Sequence, residues 1–263
     1  KPDYVFHFAA YAAEGLSPFI RNFNYRNNLL ASVNVINECI RNDVKKLIFA
    51  SSMAVYGEGK PPFRETDQPA PEDPYGIAKY AVELDIRQAN KQFGLDYAIV
   101  RPHNVIGIRQ NIWDKYRNVI GIWIRCVLRG ERIVIFGDGE QKRAFSDIKF
   151  CLEPMVKLMA GGDGQTFNLG SDKEHTLNEV AEILQEVAKE FGFHATIEHL
   201  EARNEVRYAY PSHEKAKKIL GFKDETDLES TIREMFVWAM KQKDKEVKQM
   251  PYEITKGMYS YWR

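Results

Sequence analysis

The sequence predicts an α/β fold: a doubly wound parallel sheet in the first part of the chain and a smaller α/β lobe after it. Two observations carry this reading. Short apolar runs, at Pro2–Ala10, Lys46–Ala50 and Tyr97–Pro102, alternate with helical stretches at Asn24–Arg41 and Pro74–Phe93, the order of strands joined by helical crossovers. The first two runs close on small or hydroxyl residues, Ala9-Ala10 and Ser51-Ser52, as expected of buried strands that present short side chains at the carboxyl edge of a sheet. Residues 1–107 are assigned to the sheet domain and 108–263 mainly to the lobe, with some segments returning to the sheet. A ligand is expected in the cleft between them, beyond the carboxyl ends of the strands.

Composition narrows the class. At 263 residues and 44% hydrophobic content, the chain can bury a sizeable core as one large domain or two coupled ones. Thirty-seven basic and 37 acidic residues cancel, and no long block of one sign suggests nucleic-acid or membrane-surface binding. Cys39, Cys126 and Cys151 are odd in number and widely spaced. They read as reduced core thiols of a cytoplasmic protein, with no disulfide or metal framework. No apolar run reaches the roughly 18 residues of a membrane span, and the first residues do not form a signal peptide. Neither an internal repeat nor a low-complexity segment is present.

The elements follow in order. Pro2–Ala10 is a strand. Asn24–Arg41 is a helix with Leu29, Leu30, Val33, Val35, Ile36 and Ile40 as its buried stripe. The strand Lys46–Ala50 delivers Ser51 and Ser52, and a loop rich in Pro and acid (60–74) makes a surface excursion. Pro74 opens a helix that runs to Phe93 and stops at Gly94. The strand Tyr97–Pro102 ends in His103-Asn104-Val105-Ile106-Gly107. A mostly apolar helix is expected within Ile112–Arg129, beginning after Tyr116–Val119. Ile133–Phe136 is a strand that turns at Gly137-Asp138-Gly139, and Phe167–Gly170 is another short strand. Thr176 and Glu179 form a capping box for a helix ending at Gly192. Ser212 is expected to cap a helix ending at Gly221, and a last helix covers about Leu228–Lys241. The tail, Glu253–Arg263, reads as a surface segment. His194 and His199 are five residues apart on a strand-like stretch and point to opposite faces, which argues against a shared metal.

The chemistry concentrates at Ser51-Ser52 and at Tyr75-Gly76-Ile77-Ala78-Lys79. Tyr75 and Lys79 fall at i and i+4 on one helix face. A tyrosine ordinarily has a pKa of about 10, and a fixed cation nearby favours the phenolate, a usable base. A serine hydroxyl from the strand end can bond the same reacting oxygen. Y-x-x-x-K alone occurs by chance in many helices, on a tyrosine packed against a lysine stem. The order strand, S-S, loop, P-Y-x-x-x-K is far more specific. In this order the chain resembles the short-chain dehydrogenase/reductase superfamily, and most of all its extended branch of NAD-dependent sugar-nucleotide epimerases and dehydratases. UDP-glucose 4-epimerases are the members it resembles best.

The resemblance implies a Rossmann-like fold and covers nearly the whole chain. It implies a catalytic set of Ser52, Tyr75 and Lys79. For NAD it implies contacts from Phe8, Ala9 and Ala10 at the end of the first strand, from Asn28, Tyr75 and Lys79, and from Pro102 near the nicotinamide. For a UDP-sugar it implies Ser52, Asn104, Asn118, Val119, Val134, Phe136, Arg143 and Arg203, with Val134 and Phe136 flanking the base and the arginines on the diphosphate. His103 is read as a wall of the pocket, and no metal is implied. Homodimers are common in the family, paired through the helix of Tyr75 and its neighbour, so a homodimer is expected. The glycine-rich phosphate turn of such folds is absent from the chain as given, so roughly the first three βα units of the family are missing and the sequence is expected to be N-terminally incomplete.

The shared first step is oxidation of a sugar hydroxyl by NAD. Dehydratases of the family carry an Asp-Glu pair after the strand-end Ser/Thr; here Met53 and Ala54 stand there. A 3,5-epimerase needs a further acid–base pair, which Cys126 and Cys151 do not match. What remains is inversion at C4 of a UDP-hexose, with UDP-glucose and UDP-galactose as the default pair. The alternatives are a UDP-hexuronate or UDP-N-acetylhexosamine epimerase, a decarboxylase, a sugar-nucleotide-binding fragment without catalysis, or a redox-sensing binding protein of the same fold.

Overall fold

The computed structural model describes residues 1–202, 208–247 and 249–262. Strand β1 (Tyr4–His7) leads to α1 (Arg21–Tyr25), a π-helical turn (Arg26–Leu30) and α2 (Ala31–Arg41). Then come β2 (Lys46–Ala50), α3 (Pro74–Phe93), β3 (Asp96–Pro102), β4 (Val105–Ile106), α4 (Val119–Leu128) and β5 (Ile133–Phe136). Next are β6 (Lys142–Ala144), β7 (Ser146–Asp147), α5 (Ile148–Lys157), β8 (Gln165–Leu169), β9 (Glu174–Thr176) and α6 (Leu177–Glu190). The series ends with β10 (Ile197–Leu200), β11 (Tyr208–Ala209), α7 (Glu214–Leu220) and α8 (Leu228–Met240).

The main sheet has the order β1-β2-β3-β8, and every pairing in it is parallel. The centre of β2, Leu47–Phe49, is apolar on both faces because helices cover both. Leu47 and Phe49 of β2 pack with Ile36, Val82 and Ile86 from α2 and α3, while Ile48 between them packs with Cys151, Met155 and Leu220 from α5 and α7. Successive strand residues point to opposite faces, so a run with no polar position fits a strand sandwiched between two helical layers. Strand β8 arrives from beyond residue 150 and lies next to β3. The smaller lobe has its own core, where Trp123 and Ile124 of α4, Leu184 of α6 and Ile232 and Phe236 of α8 meet.

Three expectations are corrected. The π-helical turn adds a residue to the helical phase, so Leu30 faces outward, 55% exposed, and does not join the buried stripe. The apolar helix lies where it is expected, Val119–Leu128, and Asn118 before it takes a left-handed conformation (φ +63°) that no α-helix accommodates. The N-cap position of α7 is held by His213, with Ser212 only 3.5 Å from the Glu214 amide. The tail is a core element: Trp262 and Met258 are buried with Leu16, Phe19, Ile20 and Tyr116. Glu253 anchors the tail by accepting the N–H groups of Asn22 and Phe23 at 2.7 and 2.8 Å, a carboxylate on the positive end of α1. All three cysteines are buried and free. Among the described residues no helix is long and apolar enough to cross a membrane.

Candidate active site

The site is built where β2 ends and α3 begins. Asp73 caps α3 by accepting the N–H groups of Tyr75 (2.8 Å) and Gly76 (3.1 Å), and Pro74 fills the first turn, where a missing N–H costs nothing. Gly76 is required there: a Cβ would lie 2.5 Å from the carbonyl oxygen of Ala54. This close approach presses the first turn of α3 onto the loop after β2. Tyr75 is 7% exposed and Lys79 3%.

Ser51 and Ser52 divide their roles. Ser52 is half-buried, caps a short 3-10 turn through Ala54 N–H at 3.1 Å, and hydrogen-bonds the Tyr75 phenol. Ser51 is buried and donates to Glu83 at 2.6 Å. Glu83, fully buried, also takes both Nε (2.9 Å) and a terminal nitrogen (2.7 Å) of Arg101, and Arg87 at 3.0 Å. Two arginines and one hydroxyl thus surround one carboxylate under the site, linking α3 to the ends of β2 and β3.

The Lys79 ammonium donates to the Ala50 carbonyl at 2.7 Å and lies 4.8 Å from the Phe49 ring centre. Burial draws its pKa down to about 8, against the field of Glu83. Burial also pushes the Tyr75 phenol above its ordinary value, and the Ser52 hydrogen bond and the Arg117 charge pull it back. In this cofactor-free state burial outweighs the groups that favour the phenolate.

Asn28 sits inside the π-helical turn and is 1% exposed. Its Oδ1 accepts Tyr11 N–H at 2.7 Å, and its Nδ2 donates to Tyr11 O (3.0 Å) and Asn24 Oδ1 (2.7 Å). Asn24 in turn donates to Pro74 O at 2.8 Å. This ladder fixes the segment after β1 to the start of α3. Tyr11 then stacks under Arg117, 4.9 Å from guanidinium to ring centre, and Arg117 pairs with Asp114 at 3.2 Å. Asn24, Asp73, Glu83, Asp114 and Arg117 were not legible as site residues. Only Asp73, before a helix-opening proline, carries a local signal.

The other expected residues are placed as follows. Phe8 is 51% exposed, Ala9 is exposed and Ala10 half-buried, all just past the end of β1. Pro102, half-buried, ends β3. Asn104 is exposed, with φ +38°, and donates to Ala144 O at 3.2 Å. Asn118 is exposed at the start of α4, and the adjoining Val119 packs against the lobe core. Val134 and Phe136 are half-buried on the separate β5–β10 sheet, Phe136 with its ring 5.7 Å from that of Tyr261. Arg143 on β6 donates to Lys142 O at 2.8 Å. Arg203 lies outside the described residues. His103 is no pocket wall: it is 2% exposed and hydrogen-bonded on both nitrogens. A cavity of about 770 Å³, lined by Tyr11, Asn111, Trp113, Asp114, Tyr116 and Trp238 among others, shares Tyr11 and Asp114 with the Arg117 cluster. No group of metal-binding side chains occurs among the described residues.

A parallel sheet flanked by helices, with serine, tyrosine and lysine gathered at its carboxyl edge, is a Rossmann-like arrangement. The chain belongs to the NAD dependent epimerase/dehydratase family, whose model matches residues 1–170. The UDP-glucose 4-epimerase of Halalkalibacterium halodurans is 30% identical over 255 residues, covering 90% of this chain and 75% of that one. The UDP-glucose 4-epimerase of Thermotoga maritima, solved with UDP-glucose, superposes with a TM-score of 0.84 at 32% identity, over 91% of this chain and 78% of that one. A UDP-N-acetylglucosamine 4-epimerase from Methanobrevibacter ruminantium M1, in complex with UDP-N-acetylmuramic acid, gives 0.83 and 32% over 90% and 76%. NAD is the cofactor of the family. The donor set fits it: Lys79 is a buried ammonium whose one hydrogen bond among the described residues goes to Ala50 O, and an ammonium has three N–H groups to give.

Proposed function

We propose that the chain inverts C4 of a UDP-hexose, UDP-glucose and UDP-galactose being the pair, through a transient 4-keto sugar. The observation that carries this reading is the Ser52–Tyr75–Lys79 cluster, which has Met53 and Ala54 beside it and so no further acid or base for elimination. Bound NAD supplies the hydride acceptor and later the donor at the sugar carbon. Tyr75, ionised, would take the C4 hydroxyl proton and return it to the C4 oxygen as the inverted alcohol forms, while Ser52 holds the same oxygen. Lys79 holds the cofactor ribose and supplies positive charge beneath the phenol, and Pro102, Asn28 and the Phe8–Ala10 segment border the dinucleotide. Asn104, Asn118, Val119, Val134, Phe136, Arg143 and Arg203 hold the sugar nucleotide.

Arg117 is already neutralised by Asp114 at 3.2 Å, which favours a neutral hexose over a hexuronate. A UDP-N-acetylhexosamine is the second reading, favoured by the cavity beside Tyr11. A homodimer is part of the proposal, supported by Ile77 and Leu84 of α3, 41% and 49% exposed. The test is Tyr75→Phe, assayed with each UDP-sugar in the presence of NAD. Turnover is expected to fall by about 10²–10⁴-fold with UDP-sugar binding retained; unchanged turnover removes the mechanism.

A further inference from the structure

A buried chain of four hydrogen-bonding nitrogens runs beneath the candidate sugar-nucleotide residues. His103 and His213 face each other through their Nε2 atoms at 3.0 Å, their rings stacked at 15°. His103 Nδ1 meets the carbonyl oxygen of Ala144 at 3.2 Å, and His213 Nδ1 meets Asp172 Oδ1 at 2.8 Å. Their exposures are 2% and 1%. A carbonyl and a carboxylate only accept. Both Nδ1 atoms must therefore carry a proton, and the Nε2–Nε2 contact needs a third. Two neutral imidazoles hold only two.

We propose that His103 and His213 share three protons and act as a singly charged clamp that positions Asn104 and Arg143 for the sugar nucleotide. This rests on the reading that those two residues contact the substrate. The charges around the dyad favour a cation. Asp172 carries one negative charge next to His213, and Asp224 a second, taken up by Ser171 Oγ (2.9 Å) and Asp172 N–H (2.8 Å). Lys217 pairs with Asp172 at 2.9 Å and with Glu214 at 3.7 Å. One cation on the dyad thus faces a surrounding cluster that is net negative. Asp147, on the neighbouring strand, is engaged separately by Thr231 and the Lys149 amide, both at 2.9 Å. Burial holds both rings below the ordinary imidazole value, His103 down to about 3 with the His213 charge adding to the effect, while Asp172 works the other way on His213; the three-proton count therefore stands on the hydrogen-bond geometry.

The clamp reaches the site through Ala144. Its carbonyl oxygen accepts from both His103 and Asn104, each at 3.2 Å, and its neighbour in sequence is Arg143. Ser146 closes the other side, its Oγ donating to His103 O at 2.9 Å and its N–H to Asn104 O at 3.1 Å. Gly170 makes room: with φ +157°, a Cβ would lie 2.3 Å from His103 Nε2 and 2.6 Å from Ser146 Oγ.

The test has two arms. In ¹⁵N-histidine-labelled protein at pH 7, three of the four dyad nitrogens are expected to be protonated, with His103→Gln and His213→Gln assigning the signals among the six histidines. Two neutral rings would overturn the proposal, and this arm needs no activity; either of the two variants that folds is enough to assign the pair. In the second arm, His213→Gln is expected to raise KM for the UDP-sugar about tenfold with kcat within twofold of the unsubstituted enzyme. An unchanged KM overturns the positioning role, and an equal fall in kcat and kcat/KM assigns the dyad to chemistry instead. Loss of Tyr75→Phe sensitivity would be a failure of the proposed reaction, and leaves the proton count to stand or fall on the spectra.

Discussion

The Lys79 ammonium lies 5.9 Å from the centre of the Tyr75 ring and is bound to the Ala50 carbonyl at 2.7 Å. One turn of helix separates the two residues, and both are buried. The arrangement sets a cation beside an acid at the cost of removing that cation from water.

That cost predicts a trade between stability and activity. A lysine whose folded pKa is lowered from 10.5 to about 8 destabilises the fold wherever it is protonated in both states, below pH 8. Between about 8 and 10.5 the unfolded chain holds a proton that the folded chain does not, so stability from this group rises with pH across that window. Lys79→Met is expected to abolish turnover and to stabilise the cofactor-free protein at pH 7 by up to roughly 3 kcal/mol. Thermal melts at pH 7 and pH 10 check this: the variant's advantage shrinks at the higher pH. A variant less stable than the parent at pH 7 contradicts it.

Glu83 predicts the opposite behaviour. It is the shared partner of Arg101, Arg87 and Ser51, and Arg101 is 1% exposed with its guanidinium 4.7 Å from the centre of the Tyr56 ring. Glu83→Gln keeps the shape and removes the charge, leaving a buried guanidinium without its counterion. Removing one partner of a buried pair costs about 3–5 kcal/mol, read by denaturant unfolding. A loss under about 1 kcal/mol would mean that the Arg101 charge is balanced elsewhere.

What could be read in advance follows the range of the interactions. The Tyr75–Lys79 face, the Thr176–Glu179 capping box and the Gly94 stop are set within four or five residues, and the structure has all three where the spacing puts them. The doubly wound parallel sheet was legible for the same reason, as apolar runs alternating with helical ones. The π-helical turn was not: inserting one residue into the phase leaves no mark on a stripe that includes both Leu29 and Leu30. Neither was the dyad, since His103 and His213 are 110 residues apart and each looks ordinary alone. Glu83 carried no local signal, because its partners Ser51 and Arg101 come from the ends of two different strands. The tail was misread for a related reason, its aromatic residues finding their neighbours only after a return of more than two hundred residues.

That return gives the last prediction. Trp262 is 1% exposed and meets Phe19, Tyr116 and Tyr259 edge-on, with ring centres 5.3 to 6.1 Å apart. Its carbonyl accepts from Tyr252 Oη at 2.7 Å, and Tyr252 bonds the Tyr116 hydroxyl at 2.7 Å. Tyr116 directly precedes Arg117 and Asn118, so the tail holds the segment that covers Tyr11. Truncating a buried tryptophan to alanine costs about 3–5 kcal/mol, and Trp262→Ala is expected to lose that in urea unfolding. Because the released segment carries Arg117 and Asn118, KM for the UDP-sugar is expected to rise about tenfold while kcat changes little, with Trp262→Phe intermediate in both. A variant with the stability loss but an unchanged KM would separate the tail from the site and leave it as a packing element alone.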